Sequence, residues 1–225
     1  MRLESLDLLR KQEKSIEELE QVTQEMKHLA IHDPLTKLPN RVWFLEQLNS
    51  LISFSNRHDT KIAFMFIDLD KFKYVNDNYW HHIWDELLVS VTERIKHTLR
   101  GEDVIGRQWW DEFFVAIWDF KDIEIASKVA RKIIEALKTP FIIENHEIHI
   151  GSSIGISIYP DDTKDVSILQ QYADLAMYSV KGSGRNWYHF YTDSMQKDAE
   201  EYNKISNALR HAIEKQEFSM VYQPI

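Results

Sequence analysis

The apolar and polar positions of the chain follow two periods, one typical of strands and the other of helices. Residues 61–69 (KIAFMFIDL) form a nearly continuous apolar run, as expected of a buried strand. In the helical segments, apolar residues recur every three or four positions. In chain order, the pattern predicts a strand at 61–69, a helix at 85–99, a β-hairpin at 104–118, a helix at 123–137, a strand at 147–158, a helix at 166–180 and a short strand at 187–191. The order βαββαβ, with an added strand and helix, predicts an α/β fold with a mainly antiparallel central sheet flanked by helices.

Both ends of the chain have a helical pattern that differs from the middle. Residues 1–30 contain no Gly or Pro, and their apolar residues recur at spacings of three, four and seven. This segment is predicted to be an amphipathic helix that either packs on its own domain or pairs with a second copy as a signalling helix below an upstream module. It ends before Pro34. Near the other end, a polar helix precedes an alternating strand pattern at 217–225, which predicts the start of a second domain. We therefore divide the chain into residues 1–30, 31–192 and 193–225.

Composition narrows the class of protein. The 225 residues are 44% hydrophobic and 28% charged, which is typical of a soluble globular protein. A formal net charge of −9 argues against non-specific binding of nucleic acid. There is no cysteine, so disulfides and thiolate metal sites are excluded. No apolar run approaches the roughly 20 residues of a membrane-spanning helix, and the N-terminus lacks a signal-peptide core. We expect a cytoplasmic location.

The predicted hairpin carries an unusual turn. Two adjacent tryptophans, Trp109 and Trp110, precede two adjacent acids, Asp111 and Glu112. Hairpin turns favour Gly, Asn and Asp because their central residues often need positive φ. Two indoles are therefore unexpected there, and they suggest that the site behind them is partly closed.

Acidic residues also end the first predicted strand. Asp68 and Asp70 lie on one face because side chains alternate along a strand. Such acids commonly hold Mg²⁺ together with phosphate oxygens of a substrate, and Asp111 and Glu112 of the hairpin are placed to supply a second carboxylate. The alternative is that these acids are simply solvated at the end of the strand.

Two further segments carry residues suited to nucleotide binding. Asn76 can read a base edge, and Asp85 lies at the start of the predicted helix; the alternatives are turn formation for Asn76 and helix capping for Asp85. Lys181 and Arg185 lie on a glycine-bearing turn that suits contact with a triphosphate. A helix C-terminus with solvated basic residues is the alternative.

Taken together, these segments resemble the GGDEF domain of diguanylate cyclases. The resemblance covers about residues 31–191 and rests on ordered motifs at the family's spacings. They are DPLTKLPNR at 33–41, DLDKFKYVND at 68–77, DEF at 111–113, SIGIS at 153–157, ADLAMY at 173–178 and KGSGRN at 181–186. The tail from Leu209 to Pro224 is similar to the entry into an EAL phosphodiesterase domain, whose catalytic body is missing.

The resemblance implies a palm-like fold related to nucleotide cyclases. Two such domains face each other as a homodimer, each holding GTP with Mg²⁺ (or Mn²⁺), and make cyclic di-GMP by attack of a 3′-hydroxyl on the α-phosphate. It implies the following roles: Asp68, the Leu69 carbonyl and Asp111 bind metal; Asn76 and Asp85 read guanine; Lys73, Lys181 and Arg185 hold phosphates; Glu112 assists at the reacting end; and Arg100 with Asp103 forms an inhibitory site for the product. The expected partners in cis are an EAL domain and an upstream sensor.

The chain departs from the family at four glycine positions, each of which carries tryptophan. Trp109 and Trp110 replace the glycines of the signature, and Trp80 and Trp84 replace those of a loop motif that normally reads Gly-His-x-x-Gly-Asp. Trp110 is expected to occupy nucleotide space and Trp84 to crowd the base pocket. Packing inside the fold is harder to accept for these four, since loops and hairpin tips tend to be exposed.

Three interpretations follow from these substitutions. The domain is catalytically impaired although its acids remain, or it is an active cyclase whose indoles swing aside or stack on guanine. In the third, it is a binding and dimerisation module for GTP or cyclic di-GMP that controls an EAL domain. The other tryptophans, Trp43, Trp118 and Trp187, are expected to pack within the fold.

Overall fold

A computed structural model describes residues 14–16, 19, 30–72, 81–215 and 217–218. The helices and strands are α1 (Arg41–His58), β1 (Lys61–Asp70), α2 (His81–Thr98), β2 (Val104–Trp109), β3 (Glu112–Phe120), α3 (Glu124–Lys138), β4 (Phe141–Ile143), β5 (His146–Ile148), β6 (Gly151–Tyr159), α4 (Val166–Gly182), β7 (Tyr188–Phe190) and α5 (Asp193–Glu214). The predicted alternation of strands and helices is confirmed.

Five strands form the central sheet in the order β2-β3-β1-β6-β7. β1 lies in the middle and is antiparallel to both β3 and β6, β2 is antiparallel to β3, and only the short β7 pairs in parallel. The sheet is therefore mainly antiparallel, as the sequence predicted. Its central strand ends at Asp70, so the acids of β1 have neighbouring strands on both sides.

Helices bury both faces of this sheet, because successive residues of β1 point to opposite sides. Met65 and Ile67 pack with apolar side chains of α2 and α3, whereas Phe64 and Phe66 pack with those of α1 and α4. The contact with α4 is especially close at Gly155 of β6. A Cβ added there would lie 1.9 Å from the Ala173 carbonyl oxygen, so the helix rests directly on the strand.

Three parts of the fold differ from the sequence prediction. Helix α1 was missed, because few of its residues are buried; it begins after Asn40, whose side chain accepts a hydrogen bond from the Trp43 amide. The predicted strand at 147–158 is two strands. β5 pairs with β4 in a separate hairpin around a positive-φ turn, and β6 begins at Gly151. Helix α2 begins at His81, not at residue 85.

Little of the predicted terminal segments falls on described residues. In the predicted N-terminal helix only residues 14–16, 19 and 30 are described, and all are helical. The predicted polar helix of the tail is α5, and the strand pattern beyond residue 218 lies outside the described residues. Within the part of the chain that the structure describes, no helix has both the length and the apolar character needed to cross a membrane.

Candidate active site

The strand register brings the predicted carboxylates of β1 and the hairpin together. Asp68 is directly opposite Glu112 of β3, and the Leu69 amide donates a 3.1 Å hydrogen bond to the carbonyl oxygen of Asp111. Asp111 lies in the turn between β2 and β3. The acids predicted from two separate segments thus lie at one end of the central strands.

This cluster contains more negative than positive charge. Asp68 is only 6% exposed, and its carboxylate contacts the Lys181 ammonium at 2.6 Å. Burial raises the pKa of Asp68 to about 6, although Lys181 opposes the shift. Burial, followed by repulsion from Asp111 and Asp68, raises the pKa of Glu112 to about 7. Burial also raises the pKa of Asp111. The site therefore favours an added cation or proton.

The donor chemistry of these acids fits a divalent metal ion that is completed by a ligand. Asp68 and Asp111 offer hard oxygen atoms, which Mg²⁺ prefers. Among the described residues, no three His, Asp or Glu side chains are arranged to hold a metal by themselves. Mg²⁺ does not need such a cage, because it commonly binds one or two carboxylates and takes its other ligands from phosphates and water.

Asp70, two residues after Asp68, has a different environment. It is 6% exposed; one carboxylate oxygen accepts a 2.7 Å hydrogen bond from the Ser153 hydroxyl, and the other accepts a 2.9 Å bond from the Asn186 amide. The half-exposed Arg185 places its Nε 4.0 Å from the same carboxylate. Lys181 and Arg185 therefore lie beside the acids of β1. The part played by Asp70 was not predicted.

Arg107 fixes the tip of the hairpin from behind. Its guanidinium donates hydrogen bonds to the carbonyl oxygens of Trp109 (3.1 Å) and Trp110 (2.9 Å), and to Asp33 Oδ1 (2.9 Å). Asp33 also accepts bonds from the Thr36 amide and hydroxyl. Burial alone would raise the pKa of Asp33, but the Thr36 hydrogen bonds and Arg107 together lower it.

This bracing was missed at the sequence level. Asp33 begins the motif at 33–41, whereas Arg107 lies just before the tryptophans of the hairpin, and their separation of 74 positions in the chain gives no signal that they pair.

The tip itself does not need glycine. Arg107 and Trp109 pair with consecutive residues of β3, so Gln108 forms a β-bulge. Neither Trp109 nor Trp110 has positive φ. The expectation that indoles would be unfavourable for the turn backbone is therefore wrong here, because the bulge and the Arg107 bonds support a turn without positive φ at either tryptophan.

The tryptophans near the site differ in environment. Trp109 and Trp110 are 62% and 64% exposed, whereas Trp84 is 9% exposed and belongs to the core. The Trp84 ring lies between Phe72, at 5.6 Å, and Trp110, at 5.3 Å between ring centroids. The expectation that Trp84 is not packed inside the fold is wrong. It lies on the buried face of α2, because this helix begins earlier than predicted.

A cavity of about 550 Å³ remains beside this aromatic cluster. Its lining includes Trp84, Trp109 and Trp110, together with Asp85 and Leu35. Asp85 lies inside α2, so its predicted role as a helix cap is wrong and its half-buried carboxylate is free to face a ligand. Trp110 forms part of the wall of this cavity.

The other predicted residues are placed as follows. Arg100 and Asp103 form a turn in which the Arg100 amide donates to Asp103 Oδ2 at 2.9 Å, immediately before β2. Burial raises the pKa of Asp103. Lys73, Asn76 and Trp80 lie outside the described residues.

The three tryptophans expected to pack within the fold have different outcomes. Trp43 and Trp118 are half-buried, as expected. Trp187 is 50% exposed and stacks on Tyr188, so the expectation that it is internal is wrong.

Comparison with known proteins identifies the family. The protein-family model described as "Diguanylate cyclase, GGDEF domain" matches residues 30–187. The bifunctional diguanylate cyclase/cyclic di-GMP phosphodiesterase MucR of Pseudomonas aeruginosa is 40% identical over 206 residues, covering 92% of this chain and 30% of MucR. Diguanylate cyclase TpbB of the same organism is 35% identical over 159 residues, covering 70% of this chain and 37% of TpbB.

A solved structure agrees with this assignment. The GGDEF domain of TpbB superposes with a TM-score of 0.73 at 31% identity, covering 75% of this chain and 99% of that domain. The chain spans about a third of the length of the curated relatives that it matches. It belongs to the GGDEF family and contains a GGDEF domain of cyclic di-GMP signalling.

Proposed function

We propose that this domain binds GTP with a divalent metal ion but converts it to cyclic di-GMP only weakly. The observation that carries the proposal is the combination of an intact acidic cluster with indoles at the hairpin tip. Asp68, Asp111 and Glu112 are assembled, while exposed Trp109 and Trp110 stand at the turn that carries Asp111. The acids proposed to bind metal are thus retained, while the two indoles leave less space for a nucleotide to approach them.

The proposed roles of the acids follow from their surroundings. Asp68, the Leu69 carbonyl and Asp111 would hold Mg²⁺ or Mn²⁺, which would neutralise phosphate charge. Glu112 is suited to take up a proton at the reacting end, because a pKa of about 7 lies close to physiological pH.

The proposed substrate contacts lie around this cluster. Lys181 and Arg185 would hold phosphates, and binding would draw Lys181 away from Asp68. Asp85 would read guanine from the cavity wall. Lys73 and Asn76, which lie outside the described residues, are proposed to contact phosphate and guanine, respectively.

Impairment is expected from the size and position of the tip side chains. In the family reaction, a nucleotide held by one domain attacks the nucleotide held by a second domain that faces it. An indole can bury about 150–250 Å², and two of them project from the hairpin tip. Trp110 also contacts Trp84, which fixes it between the hairpin and α2. A facing nucleotide would have to displace these rings before its 3′-hydroxyl could reach the α-phosphate.

Incubation with GTP and Mg²⁺, followed by chromatography for cyclic di-GMP, tests the proposal. We expect little product from the wild-type chain and at least a tenfold increase from the Trp109→Gly/Trp110→Gly double variant. Ile142→Gly, which removes an equally exposed apolar side chain from the β4–β5 hairpin, is the control. Robust turnover by the wild-type chain would refute the impairment, and failure to bind GTP would refute the whole proposal.

A second proposed function is binding of cyclic di-GMP at Arg100 and Asp103. The observation that favours it is the turn in which the Asp103 carboxylate holds the Arg100 amide and leaves the Arg100 side chain exposed. Calorimetry should show affinity for cyclic di-GMP that is lost in Arg100→Ala and kept in Arg131→Ala, which removes an exposed arginine from α3. Equal affinity in both variants would remove this assignment.

The domain division and the partners are also proposals. Residues 1–30 are proposed to be a signalling helix, 31–192 the GGDEF domain, and 193–225 the linker helix and start of an EAL domain. MucR, described as having both cyclase and phosphodiesterase activity, supports this arrangement. We propose a cytoplasmic homodimer below an upstream sensor. Sedimentation of the chain with and without residues 1–30 tests dimerisation through that helix; identical monomer profiles would refute it.

A further inference from the structure

The turn between α4 and β7 has a backbone that needs external support. Three successive residues, Gly184, Arg185 and Asn186, have positive φ of 122°, 66° and 52°. Left-handed backbone is unfavourable for residues other than glycine, and it persists where neighbouring groups fix it. The Arg185 amide bonds back to the last turn of α4, at the Val180 carbonyl oxygen. The next residue, Asn186, has its amide fixed from a different element.

That support is Asp70 of β1. Its two carboxylate oxygens accept hydrogen bonds from the Asn186 amide and the Ser153 hydroxyl; the Ser153 bond is buried and the Asn186 bond is partly buried. The packing around it is tight, since a Cβ on Gly151 would lie 3.1 Å from Asp70 Oδ2 and 3.1 Å from Asn186 Oδ1. Both oxygens of Asp70 are thus engaged with protein groups, unlike the metal ligands proposed for the site.

We infer that Asp70 is a positioning residue that holds the basic turn, residues 181–186, in the conformation that presents Lys181 and Arg185 to a polyphosphate. Alternate residues of β1 hold the two ends of this turn: Asp68 contacts Lys181, and Asp70 holds the Asn186 backbone. Arg185, between them, keeps half of its side chain exposed for a ligand. This inference rests on the proposed binding of GTP and adds a residue that need not touch the nucleotide.

Asp70→Ala and Asp70→Asn together separate positioning from charge. The alanine variant removes both acceptors, whereas the asparagine oxygen can still accept from the Asn186 amide, and its NH₂ can donate to Ser153. Asp162→Ala is the matched control, because this acid also accepts a backbone amide bond, from Ile158 at the other end of β6. Ser153→Ala is a milder variant that loosens Asp70 and retains its charge.

Two measurements decide the inference. In Asp70→Ala, affinity for GTP and for inorganic triphosphate should fall about tenfold, because the ligand must then order the Arg185 end of the turn itself, while Lys181 stays held by Asp68. Affinity for guanosine should not change. Hydrogen exchange of the Asn186 amide should accelerate in Asp70→Ala, and to a smaller extent in Ser153→Ala. Asp70→Asn should keep most of the triphosphate affinity and most of the protection of the Asn186 amide from exchange. Asp162→Ala should leave both unchanged.

The outcomes distinguish this inference from the proposed function. A wild-type chain that binds neither GTP nor triphosphate overturns both. If the wild-type chain binds GTP and triphosphate, unchanged triphosphate affinity in Asp70→Ala overturns the inference alone. An equal loss of guanosine and triphosphate affinity in Asp70→Ala does the same. If Asp70→Ala does not fold, unchanged triphosphate affinity and Asn186 exchange in Ser153→Ala overturn the inference.

Discussion

The Arg107–Asp33 ion pair should contribute to stability well beyond an ordinary surface ion pair. We consider Arg107→Met, which keeps the apolar stem but removes the guanidinium, and Asp33→Asn, which removes the charge and keeps an oxygen for Thr36. The pair joins the hairpin to the segment before α1, and the side chains of Arg107 and Asp33 are 8% and 20% exposed. Each single variant leaves a largely buried, charged partner without its counter-charge.

The magnitude follows from the bonds that are lost. Breaking a buried ion pair by removing one partner costs about 3–5 kcal/mol, and the partial exposure of Asp33 favours the lower end. Arg107→Met also frees the carbonyl oxygens of Trp109 and Trp110. We therefore expect losses of about 3 kcal/mol for Arg107→Met and about 1–2 kcal/mol for Asp33→Asn. The double variant should lose about 1–2 kcal/mol less than the sum, because the second change removes a partner that is already unpaired.

Urea unfolding of the wild-type chain, both single variants and the double variant measures this coupling. The control cycle uses Lys61 and Asp161, an exposed pair in which the coupling should be below about 1 kcal/mol. Additive losses at Arg107 and Asp33, within about 0.5 kcal/mol, would show that the pair does not brace the hairpin.

Three further predictions concern packing and charge. Gly155→Ala should lower stability by about 3 kcal/mol or prevent folding, because the new methyl group would overlap the backbone of α4, whereas Gly101→Ala has open space and should be nearly neutral in the same urea titration. Trp84→Gly should cost about 4 kcal/mol or more by thermal unfolding, because it empties part of the core within a helix, while the exposed Trp110→Gly should cost less than about 1 kcal/mol; similar costs would contradict the packing described for the two rings. Because burial raises the pKa of Glu112 from 4.5 to about 7, the folded state retains a proton that the unfolded state has lost, so stability should fall as pH rises through that window. In buffer without divalent metal, the fall in melting temperature between about pH 4.5 and 7 should be smaller in Glu112→Gln than in the wild-type chain. An identical fall in both would refute the raised pKa of Glu112.

The long elements of the fold were predictable because their burial is periodic in sequence. β1 is a continuous apolar run, and α3 and α4 bury one stripe each. The short hairpin of β4 and β5 was not predictable in this way, since three residues are too few to show a period. The early start of α2 had a signal that was overlooked: Trp84 precedes Leu87, Leu88 and Val91 at the spacing of one helical face.

The candidate site also has features that the sequence predicts and features that it does not. The acids at the ends of β1 and the hairpin could be predicted to meet, because two adjacent strands end there. Their individual partners could not, since Asp68 pairs with a residue 113 positions later and Arg107 with one 74 positions earlier. Such contacts depend on how α4 and the segment before α1 pack on the sheet. The residues next to each of these side chains in the sequence do not show how those elements pack.

The backbone of the hairpin tip has a consequence for how this site can change over generations. Since Trp109 and Trp110 have no positive φ, the backbone does not require glycine at either position. The tryptophan codon differs from one of the glycine codons by a single base. Each tip position is thus a point mutation away from the family's signature, and the expected stability cost of the exchange is small. Selection on nucleotide chemistry can then decide which residue a lineage keeps.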